Sequence, residues 1–81
     1  MYFVYIVECV DKTLYCGYTN NLEKRLYSHN NSKNAAKYTK GRRPVNLAYF
    51  EIFENKGLAL SSEIEIKKLK RDQKLRLLYF K

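Results

Sequence analysis

Residues 2–8 read Tyr-Phe-Val-Tyr-Ile-Val-Glu, and residues 13–19 read Thr-Leu-Tyr-Cys-Gly-Tyr-Thr. The first stretch is β-branched and aromatic throughout, which predicts a strand. Its near-continuous apolarity predicts a central one, covered on both faces. The second stretch predicts another strand. The short gap between them, holding Asp11-Lys12, makes the pair a hairpin. Gly17 weakens the second strand and marks either a bulge or a close backbone approach. Tyr5 and Tyr15 then share a face on one condition. The hairpin loop must have an odd number of residues, or a bulge must adjust the register.

Beyond the hairpin, Asn20 is a good N-cap, with Glu23 placed three residues on as in a capping box. Leu22, Arg25, Leu26 and His29 fall on one helical face, and Asn30-Asn31-Ser32 is expected to end that helix. Residues 30–46 read as a long basic loop containing Gly41 and the only proline, Pro44. A loop of that length in so small a chain points to function. Residues 47–53 predict a third strand, and residues 58–70, after Gly57, a second helix. Asp72 can cap a last short helix bearing Leu75, Leu77, Leu78, Tyr79 and Phe80. The order β-β-α-β-α-α predicts an α+β fold, helices covering an antiparallel sheet, in one domain over residues 1–81.

The chain has 81 residues, 46% hydrophobic and 30% charged, which is ordinary globular usage. No apolar run is long enough for a transmembrane helix. Met1 to Val7 lacks the basic flank and cleavage site of a signal peptide. Cys9 and Cys16 are too few for a disulfide framework, so they are expected to be small buried hydrophobes in a reducing, cytoplasmic setting. The net charge is +8, from 16 Lys+Arg against 8 Asp+Glu, and it is concentrated. Residues 30–43 hold Lys33, Lys37, Lys40, Arg42 and Arg43 with no acid. From residue 67 onward seven basic residues face only Asp72. Two such segments point to a polyanion, nucleic acid before a membrane surface. Asn31, Asn34 and Tyr38, interleaved in the first segment, suit backbone contacts or stacking.

The residues able to do chemistry together are Tyr5, Tyr15, Arg25, His29 and Glu63. Arg25 and His29 are four apart and project together. Glu63 falls inside the apolar arc of its helix, between Ala59 and Ile66, where a carboxylate needs a partner. That partner is either Lys67 at i+4 or a divalent metal. Phosphodiester cleavage suits the set. A carboxylate can hold Mg²⁺, arginine neutralises charge at phosphorus, and Tyr or His can relay a proton. Each residue also has a plainer use. The tyrosines can be core aromatics, His29 can complement the helix dipole, and Arg25 can pair with Glu23 or a sheet carboxylate.

Taken jointly, the chain resembles a GIY-YIG nuclease domain over nearly its full length. Phe3-Val4-Tyr5 stands for the first motif and Tyr15-Cys16-Gly17 for the second. Asn21-Leu22-Glu23-Lys24-Arg25-Leu26 resembles the start of the family's first helix, with its arginine at Arg25. His29 matches a histidine of many members, and Ala59 followed by Glu63 matches the helix of the metal-binding glutamate. Ala36 to Pro44 and Glu65-Ile66-Lys67-Lys68-Leu69 resemble the compact, single-domain bacterial group. The basic loop is similar to one in the catalytic subunit of a eukaryotic structure-selective endonuclease.

The resemblance implies a three-stranded antiparallel sheet flanked by helices. It also implies an endonuclease dependent on Mg²⁺ or Mn²⁺. Tyr5 and Tyr15 would orient or deprotonate water, Arg25 would stabilise the phosphate, and His29 would assist proton transfer or position the phosphate. Glu63 would be the sole protein ligand of the metal. DNA is the expected partner, branched or flapped in repair or recombination. Lys33, Lys37, Tyr38, Lys40, Arg42 and Arg43 in the loop, with Lys67, Lys70 and Arg71, would hold its backbone. Phe3 replaces the first motif's glycine, Cys16 the second motif's middle residue, and Tyr18 a lysine of some members. No appended DNA-binding domain is expected, so the resemblance implies either a low affinity of the domain alone or a protein partner that supplies specificity. The alternatives are a non-catalytic nucleic-acid-binding module, and a protein-interaction module with an exposed patch at Leu77, Leu78, Tyr79 and Phe80.

Overall fold

The computed structural model describes residues 1–31 and 37–79, with only the backbone of Lys37, Tyr38 and Tyr79. Three strands, β1 (Tyr2–Glu8), β2 (Leu14–Thr19) and β3 (Asn46–Phe53), form one antiparallel sheet in the order β2-β1-β3. The most apolar strand is therefore the central one, as its composition predicts. Among the described residues four helices flank the sheet: α1 (Leu22–Asn31), α2 (Lys37–Lys40), α3 (Lys56–Lys68) and α4 (Arg71–Tyr79).

The pairing of Glu8 with Leu14 leaves five residues, 9–13, in the hairpin connection. Their number is odd, so Tyr5 and Tyr15 share a face. The turn closes through Lys12 N–H to Cys9 C=O at 2.9 Å and Cys9 N–H to Thr13 C=O at 2.8 Å. Lys12 takes a left-handed φ of 71°, the conformation that returns the chain into β2.

Side chains alternate across the sheet and build two cores. On one face Tyr5, Val7, Cys9 and Val45 are buried, with Tyr15 and the α1 residues Leu22 and Leu26 packed against them. On the other face Val4, Ile6, Cys16 and Tyr49 meet Ala59 and Ile66 of α3, with Leu77 and Leu78 of α4 alongside. Leu77 and Leu78 thus cover the core and form no exposed patch. Of the other two residues of that expected patch, the Tyr79 side chain and Phe80 lie outside the described residues.

Several boundaries differ from expectation. Asn21, not Asn20, caps α1: its Oδ1 accepts the Lys24 N–H at 3.1 Å. The helix then runs through Asn30 to Asn31, because Asn30 is useful inside it. The Asn30 side chain accepts from Val45 N–H at 2.7 Å and donates to Val45 C=O at 3.1 Å. α3 starts two residues early because Asn55 caps it, accepting the Leu58 N–H at 2.9 Å. Asp72 lies in the first turn of α4 rather than capping it. The reach-back at that end is Gln73 Oε1 to Lys70 N–H, 2.9 Å. The segment expected to be all loop, residues 30–46, contains α2, and its Arg43–Pro44 peptide is cis.

Candidate functional site

Tyr5 and Gly17 are directly paired across β1 and β2, and Tyr15 lies one diagonal step away on the same face. A Cβ on Gly17 would stand 2.7 Å from the Tyr5 hydroxyl and 3.3 Å from the Tyr15 ring. Of the two expectations for Gly17, a bulge or a close approach, the second holds: the β1–β2 register is unbroken and the glycine makes room for the phenol. Above the two tyrosines, α1 presents Arg25 and His29 from one face. Tyr5 Oη lies 2.8 Å from His29 Nε2 and accepts from Arg25 Nε at 3.2 Å. Tyr15 also hydrogen-bonds Arg25, and its ring stands edge-on to His29 at 5.4 Å between centroids. Four of the five chemically interesting residues therefore converge.

Their environment sets their protonation. Tyr5 is fully buried, and burial pushes its phenol up to about 12 against the pull of Arg25. His29 is fully buried too. Burial, then the charges of Arg25 and Arg43, push its imidazole down to about 4. It is neutral at pH 7, so it does not act as a cation for the helix dipole. Its Nδ1 lies 2.7 Å from the hydroxyl of Thr39, a buried residue on α2. Thr39 lies inside the Ala36 to Pro44 stretch that resembles the compact bacterial group, yet the basic-loop reading gives it no role.

Glu63 is not in this cluster. Its α3 face packs over the opposite side of the sheet, between Ala59 and Ile66, and its side chain is 13% exposed. Lys67 Nζ stands 3.6 Å from Glu63 Oε2, the local partner that periodicity offered. Its charge reaches Cys16 on β2, whose thiol burial pushes up to about 11 with Glu63 adding to the rise. Cys16 pairs with Ile6 and so faces away from His29, which excludes a Cys–His nucleophilic pair. Because β2 is an edge strand, no further strand among the described residues separates Glu63 from the tyrosines around that edge.

Among the described residues no three His, Cys, Asp or Glu gather as a metal cage. One mostly buried carboxylate, held only by a loose i,i+4 pair worth ~0.3–0.5 kcal/mol, does fit Mg²⁺. Such an ion keeps waters and takes substrate phosphate as further ligands.

Residues 1–76 match the GIY-YIG catalytic domain family. The chain belongs to the GIY-YIG family. A UPF0213 protein of Clostridium perfringens is 60% identical over 78 residues, covering 96% of this chain and 83% of its own length. A UPF0213 protein of Syntrophus aciditrophicus is 53% identical over 76 residues, 94% of this chain and 87% of its own. The solution structure of the UPF0213 protein BH0048 from Bacillus halodurans superposes with a TM-score of 0.65 at 40% identity. It covers 100% of this chain and 86% of the other. The GIY-YIG domain marks a nuclease family, and the three-stranded antiparallel sheet with its helices is the fold of that family.

In this GIY-YIG chain two shallow grooves meet at Arg25. One, about 240 Å³, is lined by Thr19, Asn20, Asn21, Lys24, Arg25 and Ser28. The other, about 430 Å³, runs from Arg25 past Thr19 and Asn20 to Tyr2, Tyr18 and Lys56. Lys56 Nζ lies 5.9 Å from the centre of the Tyr18 ring. Lys24 and Lys56 were missed by charge clustering because the stretches that hold them are neutral or acidic overall.

The residues expected to hold a nucleic-acid backbone divide. Lys40, Lys70 and Arg71 are exposed. Arg42 Nε instead donates to Asp11 Oδ2 at 3.0 Å, tying the hairpin tip to the segment after α2. Arg43 Nε donates to the His29 carbonyl at 2.6 Å, near the C-terminal end of α1. Lys67 is paired with Glu63. Lys33 lies outside the described residues, as do the side chains of Lys37 and Tyr38. No helix among the described residues is long and apolar enough to cross a membrane.

Proposed function

We propose that this protein is a metal-dependent endonuclease that hydrolyses phosphodiester bonds in DNA, with branched or flapped structures as its preferred substrates. The observation that carries the reading is the hydrogen-bonded set Arg25–Tyr5–His29 beside Tyr15, at the junction of two cation-bearing grooves in a GIY-YIG chain.

Arg25 faces both grooves while Tyr5 holds its Nε and Tyr15 takes a further hydrogen bond, and the guanidinium N–H groups beyond those two bonds would serve the charge that develops on phosphorus. Tyr15 is half-buried and Tyr5 fully buried. Tyr15 is therefore the phenol that meets the attacking water, and Tyr5 holds Arg25 in place. Glu63 would hold one Mg²⁺ or Mn²⁺, which supplies Lewis acidity at the phosphate and the leaving oxygen. Lys24 and Lys56 flank the path of the strand, and Lys40, Lys70 and Arg71 add long-range attraction.

The test is a cleavage assay on duplex, flap, junction and single-stranded DNA with Mg²⁺, Mn²⁺ or EDTA. Metal-dependent cutting should fall at least ~100-fold in Arg25→Ala and Glu63→Ala. Cutting that persists in both would refute the site. A second reading, a nucleic-acid-binding module without catalysis, draws on Glu63, which is paired with Lys67 on the far side of the sheet. It predicts salt-sensitive binding, no cutting with any metal, and unchanged binding in Glu63→Ala.

A further inference from the structure

We propose that Thr39 is a positioning residue whose hydroxyl accepts the Nδ1–H of His29 and so supports the tautomer, and with it the direction, of the buried hydrogen-bond chain that holds Arg25. The chain runs Arg25 Nε, Tyr5 Oη, His29 Nε2, His29 Nδ1, Thr39 Oγ1, with contacts of 3.2, 2.8 and 2.7 Å. The catalytic consequence rests on the nuclease reading; the tautomer does not.

Only one direction satisfies every donor. Arg25 can only donate, so Tyr5 Oη accepts from it. Among the described residues the Tyr5 hydroxyl has one other partner, His29 Nε2. The phenolic proton must therefore point at Nε2, which makes that nitrogen an acceptor. A neutral imidazole then carries its single proton on Nδ1 and donates it to Thr39. The opposite tautomer would aim Nε2–H at Tyr5 Oη and leave a fully buried phenolic O–H without an acceptor, or turn it against Arg25 Nε–H. Burial and the neighbouring Arg25 and Arg43 keep His29 neutral, which removes the doubly protonated form. Thr39 is brought there from ten residues away. The ties that seat its segment are Arg43 Nε on the His29 carbonyl, Arg42 N–H on the Thr39 carbonyl at 2.9 Å, and Asn30 on Val45.

The test compares wild type, Thr39→Ser and Thr39→Val. His29 is the only histidine, so its ring nitrogens are read without ambiguity in ¹⁵N spectra of histidine-labelled protein at neutral pH. Wild type and Thr39→Ser should show a protonated Nδ1 and a bare Nε2, and Thr39→Val should shift toward the Nε2–H tautomer. On a flap substrate Thr39→Val should lower kcat about 10–100-fold with KM little changed, and Thr39→Ser should restore it. A wild-type spectrum with Nε2–H overturns the proposal, as does a Thr39→Val protein with wild-type tautomer and kcat. If wild type cuts nothing, the nuclease reading falls, and the three spectra still decide the assignment of Thr39.

Discussion

At the residue scale, Tyr5 is confined from below by Gly17 and from above by Arg25 and His29. Gly17→Ala inserts a methyl group 2.7 Å from a buried, hydrogen-bonded hydroxyl. It should cost about 1–3 kcal/mol of stability, as overpacking does, and dislodge Arg25 with it. Urea denaturation checks the first effect, and loss of cleavage in a still-folded sample checks the second. His29 gives a pH signature. The unfolded chain takes up a proton at the usual 6.5, whereas the folded chain does so only near 4. The unfolded state therefore binds more protons between those values, and stability should fall as pH drops from about 6.5 toward 4. The urea midpoint of wild type should decline over this window more steeply than that of His29→Asn. Parallel curves would contradict the buried neutral imidazole.

At the scale of elements, local chemistry explains where each piece begins. Asn55 accepts the Leu58 N–H and starts α3. Asn55→Ala should lower the urea midpoint by an amount equivalent to ~1 kcal/mol. Lys12 adopts the left-handed conformation that the hairpin turn requires, at a steric cost glycine escapes. Lys12→Gly should therefore stabilise the protein by up to ~1 kcal/mol once the entropy cost of glycine is offset. Thermal melting decides it, and a lowered melting temperature would count against the turn geometry. The α1–α2 end depends on side-chain bonds rather than propensity. Asn30 pins Val45, and Arg43 caps the His29 carbonyl, which is why α1 continues through a residue type that ends helices elsewhere.

Over the whole molecule, a charge of +8 and grooves edged by Lys24 and Lys56 predict strongly salt-dependent DNA binding. The slope of log K against log salt should shrink by about 1 for each lysine that neutralises a phosphate, in Lys24→Ala and in Lys56→Ala. Fluorescence anisotropy across a salt series measures it, and slopes identical to wild type would remove both lysines from the path. Much of the fold was legible because it is written in short periods. The apolar run of β1 marks the centre of the sheet, the five-residue hairpin connection puts Tyr5 and Tyr15 on one face, and the spacing of Arg25 and His29 projects them together. Glu63 in its apolar arc was legible as a carboxylate needing a partner. Which side of the sheet it faces was not, because helix-to-sheet docking is set by the two cores and not by the helix alone. α2 escaped notice because four residues show no period, and Thr39, inside the Ala36 to Pro44 stretch, was given no role. Sequence alone determined the strands, the shared face of the tyrosines and the positive field. Tertiary structure alone decided that Arg42 bonds Asp11, that Arg43 bonds the His29 carbonyl and that Thr39 bonds His29. The reason is physical: the bonds involved join residues 31, 14 and 10 apart, and contacts at such separations leave no periodic trace in the residues that make them.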